Sequence, residues 1–161
     1  MSPRSPCCAT EAHQRGPGLP DGGWHSRRVT RFTIDASTVL RLVTDGLAVH
    51  PAHRLVAPSG LRSDALALLY DLVRRGELTE GAALQHHERL TEMKVRLLGD
   101  RSSRRAAWRL AQEQGWLSTR DAEHIALARL QADALITVDP HLAARAAGLV
   151  PLAPVSALSA P

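Results

Sequence analysis

Two short apolar runs, one near each end of the patterned sequence, both stop at an aspartate. The first is Arg31-Phe32-Thr33-Ile34-Asp35-Ala36-Ser37 and the second is Ala134-Leu135-Ile136-Thr137-Val138-Asp139. Their length and their β-branched and aromatic residues predict buried strands, and each is followed by a helix-forming stretch. If both lie in one parallel sheet, their carboxyl ends meet in the crevice where open α/β sheets place their sites. The pattern thus constrains the fold and the place of its chemistry together.

The remaining segments agree with this frame. Residues 1–30 are rich in Pro, Gly, Ser and Arg, lack any period, and read as a disordered extension or an over-extended start of the reading frame. Residues 32–36 read as a strand and Ser37 to about Leu47 as a helix. Leu55-Val56-Ala57 is a second strand, stopped by Pro58. From Ser59 to Arg75, Leu61, Ala65, Leu68, Leu69 and Leu72 recur at helical spacing, and Gly76 ends the run. Thr79 caps a helix predicted to reach Leu98. Ser102 or Ser103 starts another that stops at Gly115, with Trp108 in its core. Ser118 opens a helix through Gln131. Ala134 to Val138 is a strand, Pro140 to Ala147 a helix, and Leu149 to Leu152 a last strand. The order β-α-β-α-α-α-α-β-α-β predicts an α/β fold with a mostly parallel sheet between helical layers. Its domain spans 31–154, with a C-terminal tail at 155–161.

At 161 residues the chain can bury one core without disulfides. Cys7 and Cys8 are adjacent, which suits neither an ordinary structural bridge nor a zinc knuckle, so a reducing, cytoplasmic setting is expected. No apolar stretch is long enough to span a bilayer. The net charge is +4, but residues 1–31 hold five arginines against Glu11 and Asp21, which leaves only +1 for the rest. The high overall charge is therefore weak support for nucleic-acid binding by the folded part.

Four acids stand where chemistry is expected, and each also has an ordinary explanation. Asp35 and Asp139 precede helices and suit N-caps, Asp139 the more so with Pro140 behind it. Ser118-x-x-Asp121 has the form of a capping box. Asp64 borders the apolar stripe of its helix; Asp71 has Arg75 four residues on, whereas Asp64 has Leu68 there. Capping does not require the four acids to converge. Several carboxylates in one crevice repel unless a cation holds them, and hard divalent ions suit such oxygen donors.

These residues carry a resemblance. From Phe32 to about Pro154 the chain resembles PIN-domain ribonucleases, and in particular VapC-type toxins of type II toxin–antitoxin pairs. The carrying motifs are Ile34-Asp35-Ala36-Ser37, Val56-Ala57-Pro58-x-x-Leu61-x-x-Asp64, Asp121-Ala122-Glu123-His124-Ile125-Ala126-Leu127-Ala128, and Ile136-Thr137-Val138-Asp139-x-x-Leu142-Ala143. The resemblance implies a PIN-like fold and a Mg2+- or Mn2+-dependent endoribonuclease. Its metal-holding acids would be Asp35, Asp64, Asp121 and Asp139, with Thr137 and more weakly Ser37 orienting them. It also implies an RNA substrate, an antitoxin protein as partner and a homodimer through the early helices. The family usually has glutamate where Asp64 stands, and an asparagine where Ala67 stands.

Outside these motifs, Arg101, Arg104, Arg105 and Arg109 form either an RNA-contacting patch or a solvated helix face. Glu123, His124, His86 and His87 read as surface residues, and Trp116 as a cap on the domain. Two other readings compete: a catalytically weakened RNA- or protein-binding module, and a PIN nuclease of RNA processing without an antitoxin.

Overall fold

The computed structural model describes residues 29–160. The elements are β1 (Thr30–Ile34), α1 (Ala36–Asp45), β2 (His53–Pro58), α2 (Leu61–Arg74), α3 (Glu80–Glu92), β3 (Val95–Leu98), α4 (Arg101–Glu113), α5 (Arg120–Gln131), β4 (Ala134–Ile136) and α6 (Pro140–Ala146), then a 3-10 turn at Val155–Leu158. The four strands pair in parallel in the order β3-β2-β1-β4. The fold is therefore the expected α/β/α sandwich of PIN-like topology.

Period-two alternation divides each central strand between two cores. Phe32, Ile34, Leu55 and Ala57 face Val39, Leu42 and Val43 of α1, with Leu61, Ala65 and Leu90 behind. On the other face Leu135 packs with Ala107, Leu110 and Ala111 of α4, Ala122, Ile125 and Ala126 of α5, and Leu142 and Ala146 of α6. Many of these helix residues are alanines, which lets the helices lie close to the sheet.

The sheet order matters most for the site. β1 lies beside β4, with Ile34 level with Ile136. The next residues, Asp35 and Thr137, therefore leave the sheet side by side. Thr38 ties the start of α1 to this edge, its hydroxyl donating to the Ile136 carbonyl at 3.2 Å.

Several expectations are corrected. The helix predicted from Thr79 to Leu98 ends at Glu92: Met93 turns extended (φ −64, ψ 134) and Val95–Leu98 form β3. No glycine or proline marks this break; the free edge of β2, which β3 pairs along its length, overrides helix propensity there. Leu149–Leu152 forms a single bridge, Leu135 to Leu152, rather than a strand; Pro151 has no N–H to extend the ladder. Trp108 is 60% exposed rather than core, and Leu68 is 38% exposed. His124, expected at the surface, is only 5% exposed.

Residues 155–160 are packed against the domain. Leu158 is fully buried, and its carbonyl accepts the His50 N–H at 2.8 Å. At the other end, residues 1–28 lie outside the described residues, while Thr30, set in the extension by the sequence, already pairs with His53. Among the described residues no helix is long and apolar enough to cross a membrane.

Candidate active site

Asp35 ends β1 with an extended backbone and caps α1. Its Oδ1 accepts the Thr38 N–H at 3.0 Å, as the capping explanation requires. Its Oδ2 does more: it accepts the Thr137 hydroxyl at 2.9 Å and the Ser37 hydroxyl. The residue is 6% exposed, so three donors surround a carboxylate almost withdrawn from water.

Asp139 is the N-cap of α6, with Pro140 at the first helical position and its Oδ1 accepting the His141 N–H at 2.9 Å. Its own N–H donates to Thr137 Oγ1 at 3.0 Å. Asp35, Ser37, Thr137 and Asp139 thus form one network across the adjoining strand ends. Capping describes both acids correctly but does not require the bonds through Thr137 that tie the Asp35 carboxylate to the Asp139 backbone.

The other two acids sit in the first turns of α5 and α2 and are held by cations. Asp121, with a side chain 15% exposed, accepts from Arg145 Nη1 at 2.7 Å and has His141 Nδ1 at 3.2 Å. The Arg145 guanidinium also lies 4.8 Å over the Trp116 ring, which holds it from the far side. Asp64 Oδ1 is 3.2 Å from Arg120 Nη2. The predicted capping box is absent: Thr119 is the N-cap without a side-chain bond, and Ser118 Oγ accepts the Arg120 N–H. Asp121 is turned instead toward α6.

Arg120, His141 and Arg145 went unmarked in the sequence. Arg120 adjoins Asp121 yet reaches Asp64, and Arg145 lies 24 residues from its partner. No local spacing rule finds such pairs. They tie Asp64 of α2 to the start of α5, and Asp121 of α5 to α6. As donors, four carboxylates suit a hard divalent cation. Among the described residues, however, no group of three or more His, Cys, Asp or Glu stands close enough to hold one ion.

Arg101, Arg104, Arg105 and Arg109 lie exposed along α4. None of them forms an ion pair among the described residues. At the start of this helix, hydrogen bonds hold the Asp100 carboxyl below its ordinary range. The backbone N–H of Ser103 contributes most, at 2.7 Å, and the Ser103 and Ser102 hydroxyls add to it.

No family model matches the chain, and no curated protein matches it. Solved structures do. PAE2754 from Pyrobaculum aerophilum superposes with a TM-score of 0.63 at 23% identity, over 82% of this chain and 94% of that one. VapBC-1 from nontypeable Haemophilus influenzae gives 0.52 at 16%, over 79% and 99%. VapC20 of Mycobacterium tuberculosis, a toxin that cleaves the sarcin-ricin loop, gives 0.50 at 19%, over 74% and 96%. At these identities the likeness is one of fold, and the chain has the fold of the VapC-type toxins.

Proposed function

We propose that this protein is a metal-dependent endoribonuclease that hydrolyses RNA phosphodiester bonds, acting as the toxin of a toxin–antitoxin pair. The observation that carries the reading is the bond from Thr137 to Asp35 Oδ2, which joins two acids at adjacent parallel strand ends. Asp35, Asp139, Asp121 and Asp64 would hold Mg2+ or Mn2+. When bound, such an ion neutralises a phosphate and acidifies a water.

The chain's own residues have separable tasks. Thr137 and Ser37 fix the rotamer of Asp35, so its free lone pairs face one direction. Asp139 is held by the rigid start of α6. Arg120 and His141, 71% and 64% exposed beside Asp64 and Asp121, are placed to meet the phosphates of an incoming strand. No Ser, Cys or His nucleophile is required. Exposed Leu66 and Tyr70 on α2 and Leu84 on α3 supply apolar surface for a homodimer through the early helices.

One observation favours a second reading, a binding module with weakened catalysis: Asp64 and Asp121 are already neutralised by Arg120 and Arg145. The test is cleavage of a structured RNA with Mg2+ or Mn2+, beside EDTA and Asp139→Asn, with a calorimetric Mn2+ titration. Metal-dependent cleavage lost in the variant supports the nuclease. RNA binding without cleavage or Mn2+ uptake replaces it with the module.

A further inference from the structure

The pole of the sheet opposite the acids carries its own charge pattern. Arg31 of β1 and Arg54 of β2 are register partners. Partners on adjacent strands point to the same face, about 4.8 Å apart. Arg96 of β3 is level with Val56, two residues past Arg54, and so falls on that face as well. Lys94 stands just before β3. These four exposed cations, with Gln131, line a cavity of about 410 Å3. A neighbouring cavity of about 1070 Å3 shares Arg54, Lys94 and Arg96 and adds Arg89, His50 and His53. Among the described residues no Asp or Glu lines either one.

Like charges directly opposite in a sheet are destabilising. Here none of the five Lys and Arg side chains pairs with a carboxylate among the described residues. Asp133 is nearby, but its carboxylate accepts the backbone N–H of Arg31. Among the described residues the Arg54 guanidinium bonds only to the Pro51 and His53 carbonyls. Folding thus brings together cations that no carboxylate of the described residues pairs with, a setting that favours an anion.

We infer that this row is a docking site for the phosphate backbone of RNA, at the pole opposite the acid crevice. The inference rests on the RNA reading of the previous subsection and adds where the substrate is held. A row of charges running across three strands matches a repeating anion better than a single one. Residues 1–28 carry Arg4, Arg15, Arg27 and Arg28 against Glu11 and Asp21, a net charge of the same sign as the row, which makes them a poor electrostatic match for it. A five-residue strand rises about 17 Å, so an oligonucleotide shorter than that span cannot engage both poles, whereas a longer, folded RNA can. The site therefore selects structured RNA over short oligonucleotides.

The test is fluorescence anisotropy with the full-length chain, using a structured RNA, a short oligonucleotide and polyglutamate as probes. The triple substitution Arg54→Gln, Lys94→Gln, Arg96→Gln is compared with Arg101→Gln, Arg105→Gln on α4. Removing mutually repelling charges leaves the fold intact, which circular dichroism checks. The expected result is a loss of about 10- to 100-fold in structured-RNA affinity and a salt slope lower by about 2 to 3. The short oligonucleotide and the α4 variant should show little change.

Unchanged structured-RNA affinity in the triple variant overturns the inference, as does wild-type protein that binds no RNA. Loss of polyglutamate binding alone overturns it in favour of an acidic peptide partner. Binding is read without cleavage, so the two readings fail separately. RNA held by the row but never cut removes only the nuclease. RNA that is cut but held equally by the triple variant removes only the docking site.

Discussion

Thr137 donates its hydroxyl proton to Asp35 Oδ2 at 2.9 Å across 102 residues of sequence. Thr137 Oγ1 in turn accepts the Asp139 N–H at 3.0 Å, so one hydroxyl ties the Asp35 carboxylate to the Asp139 backbone. Its role is geometric, and its removal has a defined signature.

Thr137→Val keeps the shape of the side chain and removes both bonds. Asp35 then loses one donor and Asp139 N–H loses its acceptor. Cleavage should fall by about 10- to 100-fold, the range for a partner that orients a ligand. Far-UV circular dichroism should be unchanged. A wild-type rate in this variant would show that Thr137 does not position the acids.

Asp35→Asn and Asp139→Asn separate charge from capping. Asparagine caps helices as well as aspartate does, so α1 and α6 should keep their first turns and the melting temperature should hold. Cleavage in each should fall further than in Thr137→Val, because a negative charge is lost along with its orientation. Both variants cleaving at the wild-type rate would remove the carboxylates from the mechanism.

Asp64 is one methylene shorter than the glutamate usual at its position in the proteins it resembles. Asp64→Glu restores that methylene and lengthens the reach of the carboxylate now paired with Arg120. Calorimetry should register tighter Mn2+ binding. Equal or weaker binding would locate the weak point elsewhere.

Asp100 predicts an acid-sensitive helix start. Its folded pKa lies below the ordinary 3.8, because Ser103 and Ser102 donate to its charged form. A depressed carboxylate stabilises the fold above its unfolded pKa and loses that contribution as pH falls through the folded value. Urea midpoints of wild type and Asp100→Ala should therefore differ most near neutral pH and converge below 3.8. A difference that stays constant over this range would contradict the assignment.

Leu158 tests the packing of the C-terminal turn. It is fully buried against the sheet. Leu158→Ala should cost about 2 to 5 kcal/mol of stability, read as a lower urea midpoint with an unchanged slope. A loss below that range would mean that residues 155–160 lie loosely on the domain.

The elements that carry the fold were largely legible. Phe32 to Ile34 and Ala134 to Ile136 read as strands because their residues suit a pleated, buried setting. Asp35 and Asp139 read as helix starts because a cap acts over two or three residues. The break at Met93 was hidden: Val95–Leu98 continues a helical composition without a stop signal, and only the open edge of β2 makes it a strand. Trp108 and His124 were misplaced for a related reason. A helical period shows which residues share a face, while the neighbours packed against that face decide which one is buried.

The sequence by itself determined β1, β2 and β4, the six helices, the caps at Asp35, Thr79 and Asp139, and four acids at the starts of helices, since each depends on residues a few positions apart. Only the tertiary structure decided that β1 lies beside β4, that Thr137 meets Asp35, that Arg120 and Arg145 neutralise Asp64 and Asp121, and that Arg31 faces Arg54. Those relationships follow from strand order. Parallel strands are joined through intervening helices, so residues far apart in sequence become neighbours in ways that no local spacing records.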